Sequence, residues 1–324
     1  MTTSLTTLPV FFDPAQASKL YLPRYQQIMD EAMAYRKNFH VTPGNTDTKR
    51  VAVFAIDMQV GFCTPGASLF VPGATEDVVR GAKFILQNVG KISELHYSLD
   101  THRAFQIFHP TFWVNANGNH PNPFTLITSQ DIRDGKWLPI SHLQYAVDYV
   151  KQLEDQGKYT LAIWPFHTML GAIDHSLVPL MFETALFHSI VRQTQTKFET
   201  KGEHPLTENY SVLSSEVKTL RPGSNQELTV GNFNTKFFDT LMRNDEVYII
   251  GEASSHCVKA TIEDLLHHIQ AVDPALVNKV TILQDCMSPV GALPTVDFPA
   301  IAAQALRDFE TAGFTVMNST DVVL

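Results

Sequence analysis

The chain has 324 residues, 44% apolar and 18% charged, with 16 glycines and 18 prolines, a composition that supports a folded core and excludes a disordered or fibrous chain. Its 24 basic residues stand against 33 acidic ones, a net charge of -9 with no basic run to track phosphates, so nucleic acid is excluded as an expected partner. The start, MTTSLTTLPVFFDPAQ, lacks a secretory pattern, the apolar stretch 161–190 is broken by seven Pro, His, Asp and Glu residues, and the three cysteines (Cys63, Cys257, Cys286) are too scattered for a disulfide framework; we expect a cytoplasmic protein with no membrane partner.

Residues 1–50 read as an N-terminal extension carrying a helix over 24–39. VAVFAID, at 51–57, is a continuous apolar run that stops at an acid, the pattern of a central parallel strand covered on both faces. Apolar positions at Val78, Val79, Ala82, Ile85, Leu86 and Val89 predict a helix over 75–92, followed by a second strand over 94–100. Residues 103–140, rich in Pro, Asn and aromatics and without a sustained period, read as a long loop or lid. Helical spacing returns at Leu143, Ala146, Val147, Val150 and Leu153, predicting a helix over 141–156. TLAIW then predicts a short strand ending at Trp164, 177–191 a helix, and KFETK a strand ending at Lys201. EVYIIGE and KVTILQD are the last two predicted strands, set among helices at 234–244, 256–270 and 297–312. Strands alternating with helices imply one α/β domain over 51–324, with a mostly parallel, Rossmann-like sheet between two helical layers.

In such sheets ligands bind at the carboxyl ends of the strands. Those ends carry Asp57, Asp100, Trp164 with His167, Lys201, and Cys257 just past Gly251. Cys257 follows a glycine-containing turn and opens an amphipathic helix, where backbone N–H groups and the helix dipole stabilise a thiolate and could also hold an oxyanion. Taken alone it reads more readily as a buried structural cysteine. Asp57 could be solvated, cap a turn, or take a thiol proton; Lys201 could lie on the surface, or keep that aspartate ionised. Asp100 and His102 form an Asp-x-His pair at a strand end, where alternate residues face the same way and could share one metal ion. His167 is the expected third ligand, with His109, His120 and His175 as competitors.

Five segments in order, AIDMQVGF, SLDTHRAFQIFHP, WPFH followed by Gly171 and Ala172, KGEHPLTENYS and IIGEASSHCVKAT, resemble the isochorismatase-like cysteine hydrolases and, within them, the nicotinamidase-like subgroup. The resemblance implies a three-layer α/β/α isochorismatase-like hydrolase fold and a catalytic triad at Asp57, Lys201 and Cys257. It implies metal ligands at Asp100, His102 and His167, for Zn2+ foremost and otherwise Fe2+ or Mn2+. It implies a substrate pocket lined by Phe62, Trp164 and Tyr210, and an oxyanion hole from the Ala253 and Cys257 amides behind a cis Glu252–Ala253 peptide. The implied reaction is hydrolysis of nicotinamide or a similar small amide to the acid and ammonia through a thioester, by a protein that self-associates as a homo-oligomer. Two alternatives are a family hydrolase of another amide, carbamoyl or ureido compound, and a non-catalytic small-molecule binding protein. The sequence departs from the subgroup at Gly61, where an acid is usual, at Thr168, often Cys, and at Ala172, usually Thr.

Overall fold

The computed structural model describes residues 8–156, 160–221, 223, 227–292 and 296–324. The first seven residues of the N-terminal extension and 157–159 of the long insertion lie outside these. The main sheet has six strands: β1 (Val51–Ile56), β2 (Glu94–Asp100), β3 (Lys197–Lys201), β4 (Glu246–Gly251), β5 (Val280–Leu283) and β6 (Thr315–Met317), in the order β6-β5-β4-β1-β2-β3. Every neighbouring pair is parallel. The longer helices are α1 (Tyr25–Phe39), α2 (Ala74–Gln87), α3 (Leu143–Gln156), α4 (Pro179–Arg192), α5 (Thr235–Met242), α6 (Cys257–Val272) and α7 (Phe298–Thr311).

β1 is buried along its whole length because its two faces feed two cores. Val51, Val53 and Ala55 pack with Val78, Ala82 and Ile85 of α2 and Leu180 and Met181 of α4. Ala52, Phe54 and Ile56 pack with Phe237 of α5, Ile262 and Leu265 of α6 and Phe309 of α7. The result is the expected three-layer α/β/α arrangement, with β1 at the centre.

The strands KFETK, EVYIIG and VTIL and the seven helices fall where the sequence pattern puts them, within a few residues at the ends. TLAIW is a correction. Only Leu161–Ala162 is extended, and it pairs antiparallel with Leu126–Ile127 outside the main sheet. The insertion is also more structured than a lid of loops. Trp113–Val114 pairs with Leu138–Pro139, a capping box between Thr128 and Asp131 starts a short helix, and Phe112, Trp113, Ile127, Tyr149 and Val150 form a core of their own. The N-terminal segment packs Phe11, Ile28 and Ala32 against Leu86, Val89, Phe187 and Val191. It is fastened by Arg24, whose Nε donates to Glu183 Oε1 at 3.0 Å, and by the Tyr21 hydroxyl, which donates to Oε2 at 2.9 Å. No helix among the described residues is long and apolar enough to cross a membrane.

Candidate active site

The order β4-β1-β2-β3 sets four reactive positions side by side along one sheet edge. Asp57 follows β1, Asp100 ends β2, Lys201 ends β3 in register with Asp100, and Cys257 starts α6 after the turn that follows β4. Gly251 enters that turn at φ 128°, where an added Cβ would lie 2.1 Å from the Ile56 carbonyl oxygen, so only glycine passes β1 here.

All four side chains are buried, and Lys201 joins them. Its Nζ lies 3.0 Å from Asp57 Oδ2, 2.7 Å from Asp100 Oδ1 and 3.5 Å from Cys257 Sγ, and donates to the Asn209 carbonyl at 3.0 Å. The sequence paired Lys201 with Asp57 but did not show that it also bridges to Asp100. Burial works against the ammonium charge, but the two carboxylates overcome it and hold Lys201 protonated. Burial pushes the Asp57 carboxyl up, with Lys201 only partly opposing; Ser98 Oγ donates to Asp57 Oδ1 at 2.6 Å. The expected low thiol pKa at the helix N-terminus is corrected: burial pushes Cys257 well up, the Lys201 charge opposing and Asp57 adding to the rise. A thiol that keeps its proton beside a carboxylate of raised proton affinity suits transfer of that proton as the sulfur attacks, rather than a standing thiolate.

Asp100, His102 and His167 form a second group, their ligand atoms all within 4.8 Å of one another. His102 Nε2 is 2.8 Å and His167 Nε2 3.5 Å from Asp100 Oδ2. The opposite nitrogens are held by backbone carbonyls, His102 Nδ1 at 3.2 Å from Gly202 O and His167 Nδ1 at 2.7 Å from Pro165 O. This is the backing that fixes the tautomer of a metal-binding imidazole, and it leaves the buried Nε2 of His102 turned toward the Asp100 carboxylate with no well-aligned hydrogen bond there. One carboxylate and two imidazoles therefore fit a divalent cation. Gly202 gives these side chains room, since a Cβ there would meet His102 Cε1 at 2.8 Å. Of the competing histidines, His175 Nε2 bonds Thr101 Oγ1 at 2.8 Å and His120 Nδ1 bonds the Trp113 carbonyl at 2.6 Å. His109 is buried beside the group, its ring 5.8 Å from that of His102 and 6.3 Å from that of His167.

A cavity opens between the two groups, lined by Phe62, Trp164, Tyr210, Asp100, His167 and Cys257. The three expected aromatics are thus brought together, and Trp164 Nε1 donates to the Tyr210 hydroxyl at 3.0 Å. Ala253 and His256 line the same cavity, burial pushing His256 down to about 3 and so keeping it neutral. The Glu252–Ala253 peptide is cis, and among the described residues the Ala253 and Cys257 amides donate to no protein acceptor. Glu208 is a lining residue the sequence reading missed. Its carboxyl is pushed up to about 8 by burial and by Asp100, and its place inside KGEHPLTENYS was the available signal. The departures at Gly61 and Thr168 prove to be one feature: a Cβ on residue 61 would lie 3.0 Å from Thr168 Cγ2 and 3.2 Å from the Asp174 carbonyl oxygen.

No family model matches the sequence. The curated nicotinamidase of Escherichia coli strain K12 is 24% identical over 218 residues, covering 64% of this chain and 79% of that protein. Among solved structures, the nicotinamidase/pyrazinamidase of Acinetobacter baumanii matches with a TM-score of 0.53 at 20% identity, over 86% of this chain and 100% of that one. The yeast nicotinamidase bound to the inhibitor nicotinaldehyde matches at 0.52 and 17%, over 83% and 99%. The chain has the isochorismatase-like hydrolase fold. Within that class its resemblance to the nicotinamidases, first drawn from five short segments, is borne out.

Proposed function

We propose that the chain is a cysteine amidohydrolase that converts nicotinamide, or a small amide of similar shape, to the acid and ammonia. The observation that carries this reading is the contact of one buried lysine with an aspartate, a cysteine and the carboxylate of an Asp-His-His group around one aromatic cavity. In this reading Asp57 takes the Cys257 proton as Sγ attacks the amide carbon, and the carbonyl electron pair moves onto oxygen. The Ala253 and Cys257 N–H groups hold that oxyanion. As the tetrahedral species collapses, the C–N bond breaks, Asp57 returns its proton to the leaving nitrogen, and ammonia departs from a thioester. Asp57 then takes a proton from water attacking the thioester; the C–S bond breaks, the acid leaves, and the proton returns to Sγ. Lys201 stays protonated throughout and offsets the negative charge of Asp57.

Asp100, His102 and His167 would hold a divalent cation, with Zn2+ preferred and Fe2+ or Mn2+ compatible with the same donors. When bound, such a cation offers a Lewis-acid position for a pyridine nitrogen. Phe62, Trp164 and Tyr210 orient the ring by stacking and edge contacts. We read 51–324 as the hydrolase domain and 1–50 as an extension packed on it. Three free, buried cysteines fit a cytoplasmic setting, and self-association is part of the same reading.

The test is ammonia release from nicotinamide by the wild-type protein and by Cys257→Ala, with metal content measured in the same preparations. Turnover that depends on Cys257, with about one metal per chain, is expected. Absence of turnover by a folded, metal-loaded protein overturns the substrate assignment.

A further inference from the structure

Behind the turn that carries Ala253 and Cys257 lie two carboxyl groups that the mechanism does not use. Glu252 and Asp77 are 0% and 1% exposed, and their carboxyl groups are neighbours. Each has one oxygen satisfied by a donor: Glu252 Oε2 accepts from the Ser288 amide at 3.2 Å, and Asp77 Oδ1 accepts from Arg80 Nη2 at 2.5 Å. The remaining oxygens, Glu252 Oε1 and Asp77 Oδ2, are buried and have no donor. A buried acceptor left without a donor is costly, and two neighbouring carboxyl groups in one buried site cannot both ionise, so a proton shared between them answers both. Asp77 has the guanidinium and a place in the first turn of α2, where the helix dipole favours an anion. Glu252 has only a neutral amide.

We propose that Glu252 is a buried, protonated carboxylic acid donating to the Asp77 carboxylate, and that this pair is the positioning device for the Ala253–Cys257 turn. Glu252 is one residue from Ala253, and its own amide donates to the Ile56 carbonyl at 2.9 Å, tying it to the end of the strand that delivers Asp57. Its carboxyl holds the Ser288 amide while the Ser288 carbonyl accepts from the Ser254 amide at 2.8 Å, so the 252–254 turn and the 288 segment are clamped in both directions. From Ser288 the chain reaches Val290, whose amide donates to Ser255 Oγ at 3.1 Å and whose side chain lines the substrate cavity. Removing the shared proton would place two negative charges behind the turn and loosen both segments together. Burial and Asp77 both act to keep the proton on Glu252 well above the usual carboxylate range. The other titratable groups facing the pair are the Arg80 guanidinium on α2, the Cys63 thiol on the helical turn after β1, and the Cys286 thiol after β5. Both thiols are themselves pushed up by burial and stay neutral, leaving Arg80 as the only compensating charge among these groups.

The positioning role rests on the oxyanion assignment above; the protonation state does not. The test therefore uses two readouts on the full chain with its metal retained. Infrared difference spectra at neutral pH, wild type against Glu252→Gln, should show loss of a protonated carboxylic-acid carbonyl band in the variant; no such loss overturns the proposal. In nicotinamide hydrolysis, Glu252→Gln keeps a permanent N–H donor to Asp77, so kcat at neutral pH should stay within about threefold, with any alkaline fall of the wild type moved or removed. Glu252→Ala leaves Asp77 without that donor and should lower kcat about tenfold or more, with a smaller change in KM. Equal damage by Gln and Ala, or wild-type kcat in Glu252→Ala, overturns the positioning role. If the wild type does not hydrolyse nicotinamide, the functional reading fails while the infrared result still decides the state of the pair.

Discussion

Replacing Lys201 by Met removes the one ammonium that three reactive groups share, while keeping a long apolar stem in its place. Asp57 is then a fully buried carboxyl with the Ser98 hydroxyl and the Cys257 thiol as its remaining polar partners, and Asp100 loses its ammonium partner. Removing one member of a buried ion pair costs about 3–5 kcal/mol, because the partner is left uncompensated rather than because the pair itself was worth that much. With an unfolding entropy of about 2 cal/mol/K per residue over the 324-residue chain, that loss lowers Tm by about 4–7 °C. The sign of the pH dependence follows from the proton that Asp57 must take up. Its folded pKa already lies above the ordinary aspartate value and rises further without Lys201, so the variant is least penalised at low pH. The deficit against the wild type then opens as pH rises past the wild type's raised folded value, where Asp57 ionises beside Lys201 but keeps its proton without it. Thermal unfolding of both proteins across pH 5 to 8.5, in about 0.15 M salt, reads this directly. A Tm difference below about 1 °C, or one that does not change with pH, would refute the assignment of Lys201 as the buried counter-charge.

Three further outcomes are expected. His102→Ala should release the metal from the purified protein, since it removes one of three ligands; undiminished metal content would sink that ligand set. Cys257 is the only cysteine lining the substrate cavity, whereas Cys63 and Cys286 are fully enclosed, so a small alkylating agent should label Cys257 first and substrate should slow it. Equal labelling of all three contradicts the cavity assignment. Arg24→Ala leaves the carboxylate of Glu183 buried with the Tyr21 hydroxyl and a backbone amide as its remaining donors, and should cost about 3 kcal/mol in denaturant unfolding with kcat unchanged. A loss under about 1 kcal/mol would show that the N-terminal segment is not fastened there.

The central strands were legible because parallel strands covered on both faces leave unbroken apolar runs, as VAVFAID does. KFETK was harder to read, and the structure shows why: β3 is an edge strand, with Phe198 and Thr200 outward and only Lys201 fully inside. At the opposite edge Thr315–Met317 escaped notice because three partly exposed residues carry no usable period. TLAIW has the composition of a core strand but pairs locally with Leu126–Ile127, a tertiary choice that propensity does not encode. The strand ends exposed the triad and the Asp-x-His pair as candidates, because reactive residues recur where apolar runs stop. They did not expose Glu208 or Glu252. A glutamate in a turn reads as solvated, and its burial, with the Asp100 charge acting on one and Asp77 on the other, depends on segments distant in the chain. The low thiol pKa inferred from a helix N-terminus failed for the same reason: the local dipole is written in the sequence, but the desolvation that opposes it comes from the whole fold.

The account stands most directly on a covalent bond between Cys257 and the acyl group of the substrate. Rapid acid quenching during turnover of nicotinamide, followed by mass analysis of the Cys257 peptide, should find the nicotinoyl adduct on that cysteine and none in Cys257→Ala. Hydrolysis that proceeds at the wild-type rate in Cys257→Ala, or an acyl adduct confined to another residue, would contradict the mechanism.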